Sequence, residues 1–316
     1  MKKILLATTA LVGFAGAAAA EVKLSGYAEI GVVGGSGGPS AIETQFWNDL
    51  NVTVTMTGAT DGGLEFGTAL NLEDLAGDTS NDPNVGDGIV PTQDNDTNVW
   101  VSGSFGKVTL GDTDGALDWA ASEIYMGTSL ADDHSTHAGA YWNTGLDGLY
   151  DNQVMRYEYS FGDFAAAISA ELDDTGTGDA VLGLGVKWSG DMSGTAVSAG
   201  LGYQSANGLD MTAVSLGAKM SNGVSANFGY ATGDFWGVSN GDWMGLGLGY
   251  TTGALTVQAN YGVYDFGAGD LSGWGLVANY DLGGGAVAML GYGSGDVTSS
   301  NGHGESTWSA GLGLSF

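Results

Sequence analysis

The chain contains no cysteine, which fits an exported protein that does not rely on disulfides. It has three prolines in 316 residues, so its 58 glycines do not make it a collagen-like polymer. Basic residues are scarce: 7 Lys and Arg stand against 36 Asp and Glu, a formal charge of −29. Phosphate binding needs a basic face, so nucleic acid is excluded as a partner. After residue 20 no run reaches the roughly 18 consecutive apolar residues of a spanning helix. The three histidines, His134, His137 and His303, give no spacing for a catalytic triad. Gly245-Leu246-Gly247-Leu248-Gly249 has the look of a phosphate loop, but it lies in a strand pattern with no helix after it. Glycine–aspartate fragments such as Gly267, Gly269 and Asp270 do not continue at the nine-residue period of a Ca²⁺-loaded β-helix. The chemistry of an enzyme is missing throughout.

Residues 1–20 read as a secretory signal peptide. Lys2 and Lys3 precede an apolar run, and Ala18-Ala19-Ala20 offers a small-residue cleavage site. Cleavage would leave residues 21–316 as one domain beginning at Glu21, with five basic residues against 36 acidic.

From Glu21 the dominant period is two. Val22, Leu24, Ala28, Ile30 and Val32 share one face, while Lys23, Ser25, Tyr27 and Glu29 share the other. Leu50, Val52, Val54 and Met56 alternate with Asn51, Thr53, Thr55 and Thr57. Such alternation makes a strand with one apolar and one polar face. Sixteen segments of this kind extend to Phe316. Tight Gly-containing turns alternate with longer connections, among them 74–95, 112–151, 233–241 and 266–271. The 205–208 connection is the exception, short on the long side. An even strand number, one tight end, one long-looped end and a mild polar face describe a closed antiparallel barrel in an outer membrane. The fold class is therefore all-β, a 16-stranded antiparallel transmembrane β-barrel. Tyr157, Tyr159, Phe161, Trp188, Tyr203 and Tyr250 near strand ends suit a lipid–water interface.

The 40 residues from Asp112 to Asp151 interrupt this pattern. They hold eight carboxylates and no Lys or Arg, together with Leu117, Trp119, Ile124, Leu130 and Leu146. So much apolar bulk predicts a loop packed into the barrel mouth and narrowing it. Asp112, Asp114, Asp118, Glu123, Asp132 and Asp133 are its candidate constriction carboxylates. Candidate wall residues at inward parity are Lys107, Arg156, Glu158, Glu29, Glu65 and Glu171. All five basic residues after residue 20 share that parity, but only Arg156 is placed at mid-height. A lumen dominated by one sign enriches counter-ions, which predicts a cation preference. No cofactor is required. Asp132-Asp133 and the run Asp78, Asp82, Asp87, Asp94 and Asp96 offer oxygen ligands for weakly held Ca²⁺ at the level of lipopolysaccharide.

Four stretches carry a family likeness: EVKLSGYAEIGVV from Glu21, TGATDGGLEFG at 57–67, VSGSFGKVTLGD at 101–112, and the ending YDLGGGA…LGLSF. Together they resemble trimeric general diffusion porins of the alphaproteobacterial type. The resemblance implies a homotrimer in the outer membrane of a Gram-negative bacterium, reached through the periplasm. It also implies a third external loop, here 112–151, folded into the lumen, and passive passage of small hydrophilic solutes and ions. Phe316 matches the terminal aromatic read by the family's assembly machinery, and 74–95 corresponds to the latch between subunits. Such porins set a basic cluster across from the acidic loop, and here that cluster is largely missing. A substrate-selective channel, with a nutrient stacking on Tyr27 or Trp100, is the alternative.

Overall fold

The computed structural model describes residues 20–36, 43–72, 97–124, 127–130, 145–150, 152–173, 175–235, 238–267, 269–296 and 306–316. The expectations for 1–19, 73–96 and 131–144 therefore fall outside the described residues, including those for Asp132, Asp133, His134, His137 and the 78–96 carboxylates.

Sixteen strands follow in chain order: β1 (Glu21–Ser36), β2 (Gln45–Ala59), β3 (Glu65–Asn71), β4 (Asn98–Gly103), β5 (Gly106–Gly111), β6 (Val154–Phe161), β7 (Phe164–Glu171), β8 (Val181–Met192), β9 (Thr195–Ala206), β10 (Leu209–Met220), β11 (Val224–Phe235), β12 (Val238–Thr252), β13 (Leu255–Asp265), β14 (Asp270–Gly283), β15 (Ala286–Gly295) and β16 (Ser306–Ser315). Each pairs antiparallel with its sequence neighbours, and β1 pairs with β16 from Tyr27↔Ser315 to Ser36↔Ser306. The ring is closed, so no sheet edge is left, which is the condition lipid imposes on a spanning sheet.

The period of two places the faces. Leu24, Ile30, Leu184, Leu201, Leu246, Leu276 and Leu290 are all exposed on the outer face. Outer aromatics add to that face: Phe161 and Phe164 stack at 5.8 Å beside a tight turn, and Trp274 meets Tyr292 at 5.4 Å. Glycine and small polar residues occupy the alternate, inner positions.

Between β9 and β10, Asn207 and Gly208 both take positive φ, 51° and 79°. That is the signature of a two-residue primed turn, and it explains why this connection is tight at an otherwise long-looped end.

One boundary differs from the sequence reading. Residues 233–241 read as a connection because of Gly233 and Gly241, yet β11 reaches Phe235 and β12 starts at Val238. Gly233 (φ 140°) sits at a register shift, so it marks a bulge rather than a loop. The bulge lets Phe235 turn inward against Tyr264, with ring centroids at 5.4 Å. The apolar cluster there lies inside the barrel. It joins Met211, Ala231, Phe235, Trp243 and Tyr264 of the wall to Leu117, Ala121 and Ile124 of the segment after β5. Burying a Leu or Ile completely stabilises by about 1.5–3 kcal/mol, so this packing is a main source of the segment's order.

Candidate functional site

The segment leaving β5 begins at Asp112, whose carboxylate accepts from Asn152 Nδ2 at 3.0 Å and so bridges the β5 exit to the chain entering β6. It then forms a single helical turn, α1 (Ala116–Ala120). The turn has no side-chain cap, so its first amides bond outward. Gly115 N–H donates to Asp147 Oδ2 at 2.7 Å, and Ala116 N–H donates to Ser169 Oγ on β7 at 2.8 Å.

From there the chain follows the inner wall. A Cβ at Gly185 or Gly200 would collide with the carbonyl of Ala116 or Ala120. One at Gly202 would lie 2.6 Å from Leu117 Cα, and one at Gly247 would collide with the Ile124 carbonyl. Only glycine on β8, β9 and β12 allows the backbone so near the sheet. Ser122 N–H donates to Ser215 Oγ on β10 at 2.9 Å, and Asn279 Nδ2 on β14 donates to the Thr128 carbonyl at 3.2 Å. Ser129 and Ser309 on β16 share a 2.6 Å hydroxyl pair. Leu130 ends this described stretch, buried with Val33 and Met289. The chain is described again at Gly145, beside Gln204 on β9. Leu146 N–H donates to Gln204 Oε1 at 2.8 Å, and Gln204 Nε2 donates to Asp147 Oδ1. Tyr150 and Asn152 N–H groups then donate to Glu171 Oε1, at 3.2 and 2.8 Å.

The charges fall into place around this path. Asp114 is largely exposed, and Asp118 and Glu123 are half-buried. Burial pushes the Asp118 carboxyl up to about 8, with Asp114, Glu123 and Asp147 adding repulsion and Arg156 opposing them. Burial likewise pushes Asp147 up to about 6, against the bonds it accepts from Gly115 and Gln204. Arg156 is 7% exposed; its guanidinium donates to the Asp114 carbonyl and lies 3.9 Å from the Asp114 carboxylate. Lys187 Nζ sits 3.7 Å over the Trp119 ring and donates to the Trp119 carbonyl at 3.2 Å. Lys107 pairs with Glu158 at 3.7 Å and lies 5.5 Å from the Trp100 ring. Below α1, a recess of about 570 Å³ is bounded by Ser102, Lys107, Trp119, Glu158 and Lys187.

The residues singled out in the sequence thus have different fates. Asp114, Asp118 and Glu123 come together with Arg156 along one stretch of wall. Glu171 is fully buried under the loop's return, where it binds backbone amides. Glu29 is buried too, accepting from Trp47 Nε1 at 2.7 Å and from the Tyr27 hydroxyl at 3.1 Å. Glu65 is exposed, on β3. Among the described residues no group of three His, Asp or Glu side chains is placed to hold a metal ion.

Gln204, Ser169, Ser215 and the inner glycines were not singled out, whereas Leu130 was among the apolar residues expected to pack the loop inward. A signal was present: Gly183, Gly185, Gly200 and Gly202 fall at alternate positions of two paired strands, the mark of a close backbone approach.

The chain matches the Gram-negative porin family over residues 7–300. It is 29% identical to a porin of Rhodobacter capsulatus, over 89% of this chain and 96% of that protein. Among solved structures it is similar to a porin refined at 1.8 Å resolution, with 24% identity, a TM-score of 0.71, and 94% of this chain and 100% of that one covered. A triple mutant of Rhodopseudomonas blastica porin gives 21% identity, a TM-score of 0.67 and the same coverage. These two structures speak to the fold.

Proposed function

The chain belongs to the Gram-negative porin family, non-enzymatic diffusion channels of the outer membrane, and on that premise we propose that it is a cation-preferring homotrimer narrowed by the segment between β5 and β6. Small hydrophilic solutes and ions pass down their gradients through its lumen. Sieving is the mechanism: the barrel sets the outer limit of size and the loop the inner one.

The observation that carries the cation preference is the engagement of the wall cations nearest the loop. Arg156 is held by Asp114, Lys187 by Trp119 and Lys107 by Glu158. Arg156 and Lys187 therefore secure the loop instead of facing it across the opening. The Asp114 and Glu65 carboxylates are turned to solvent. Low-dielectric walls focus the field of such groups and raise the local cation concentration. Reversal potentials across a planar bilayer in a KCl gradient test the reading. A potential of cation-selective sign supports it, and a neutral or anion-selective one ends it.

The homotrimer is tested by chemical cross-linking of unheated protein in detergent, where a three-subunit band is expected. Export with removal of residues 1–20 is tested by N-terminal sequencing, with Glu21 expected as the first residue.

A further inference from the structure

Among the ties that hold the described part of the loop, two lie on opposite walls and are fully buried. The first is Gln204 on β9, fully buried, with both ends of its amide in use. Its oxygen accepts from Leu146, its nitrogen donates to Asp147, and Asp147 in turn accepts from Gly115. One side chain therefore binds the segment's departure at Gly115 to its return at Leu146. The second tie is Leu130, also fully buried. Its Cδ1 fills the space that a Cβ on Gly31 or Gly311 would take, and these two glycines face each other across the β1–β16 pair. Val33, Met289, Trp47 and Val287 surround it, and the Ser129–Ser309 hydroxyl pair lies next to it. In the closed ring β9 stands eight strands from β1, whichever way the ring is counted.

We propose that Gln204 and Leu130 are the positioning residues that set the size limit of the channel, holding the loop at two opposed points so that loosening either one widens the passage for neutral hydrophilic solutes near that limit. The inference rests on the porin reading with the loop as its narrowest part. Neither residue needs to touch a solute. Gln204 acts by satisfying buried backbone and carboxylate groups that nothing else named on β9 reaches. Leu130 acts as a knob in a gap that only a glycine pair leaves open.

The test uses the full-length protein in planar bilayers and in sugar-swelling liposomes. Gln204→Ala and Leu130→Ala are each expected to raise single-channel conductance, and together by about twofold, since pore diameter governs passage. Larger sugars should enter the liposomes faster, and Leu130→Met should restore the original values. A second set guards against a variant that merely folds badly. The chain has no cysteine, so Ser129→Cys with Ser309→Cys in the Leu130→Ala background places one new disulfide across the 2.6 Å pair, at the end that substitution loosens. Oxidised, this protein should conduct less than the same sample after reduction. Equal conductance in both states, or unchanged conductance in Gln204→Ala and Leu130→Ala, overturns the proposal. Absence of channels from the unaltered protein would instead overturn the porin reading itself.

Discussion

Arg156 and Asp114 form a unit at the foot of the loop. The guanidinium donates to the Asp114 carbonyl and stands 3.9 Å from its carboxylate, with the arginine buried and the aspartate side chain open to solvent. One cation thus satisfies a backbone acceptor and faces one of the loop's negative charges. Replacing it by Gln removes the charge and shortens the reach. A hydrogen bond involving a charged group contributes about 1.5–3 kcal/mol, so Arg156→Gln should lower the temperature at which the barrel unfolds in detergent. The same change leaves Asp114 uncompensated, and the KCl reversal potential should move further toward cation selectivity. A shift toward anions would overturn this reading, because losing a positive charge from the wall cannot by itself enrich anions.

The glycine wall makes a sharper prediction. At Gly200 a Cβ would collide with the Ala120 carbonyl and its carbon, both backbone atoms. A backbone neighbour cannot swing aside as a side chain can, so Gly200→Ala must lift α1 away from β9. Overpacking of this kind costs about 1–3 kcal/mol. Gly62 is the control, since a Cβ there has only the Thr60 hydroxyl at 3.8 Å for a neighbour. Gly200→Ala is expected to change single-channel conductance and lower thermal stability, while Gly62→Ala leaves both unchanged.

These two cases mark what the chain discloses in print. Strand number, closure and facing were legible, because each side chain answers to its own surroundings, lipid or lumen, and that answer repeats every second residue. Which residues meet the loop was not legible. Ser169, Gln204, Ser215 and Ser309 are ordinary inner-face residues in their strands, and their partners stand between 53 and 180 positions away. Arg156 shows the same limit. Its inward parity could be read, but whether it faces the opening or binds the loop depends on where Asp114 comes to rest. Gly233 misled for a related reason, since a glycine in a bulge and a glycine in a loop look alike until the partner strand is known.

Protonation of the loop offers a third measurement. Asp118, with Asp114, Glu123, Asp147 and Arg156 around it, is pushed up to about 8 chiefly by burial, and Asp147 to about 6. Both are neutral in more acid solution. As pH rises, Asp147 ionises first and Asp118 second, so cation selectivity should climb through about 6 and again through about 8. The stability effect has the opposite slope. Between the ordinary carboxylate value of 3.8 and these raised values, the folded protein keeps protons that the unfolded chain gives up. Each group's contribution is complete in acid and is lost as pH rises toward its folded value. Asp118→Asn should abolish the upper step in selectivity, measured as reversal potential against pH. A step that survives the substitution would assign it to another group.

The outer face makes the last prediction, and it depends only on what surrounds the barrel. Leu201 lies at the middle of β9 and is 52% exposed, between the outward Val197 and Tyr203 of the same strand. In water an arginine there would be harmless. In a bilayer its charge sits near the midplane, where arginine costs about 2–4 kcal/mol, falling to about 0–1 near the interfaces. Leu201→Arg should therefore reduce the yield of refolded barrel in lipid vesicles, read as the fraction that migrates faster before heating. Phe161→Arg, at the tight-turn end of β6 beside Phe164, should do far less. The depth dependence separates lipid from any dry protein interface, because an interface would penalise each charge according to its own packing and not according to its distance from the membrane centre.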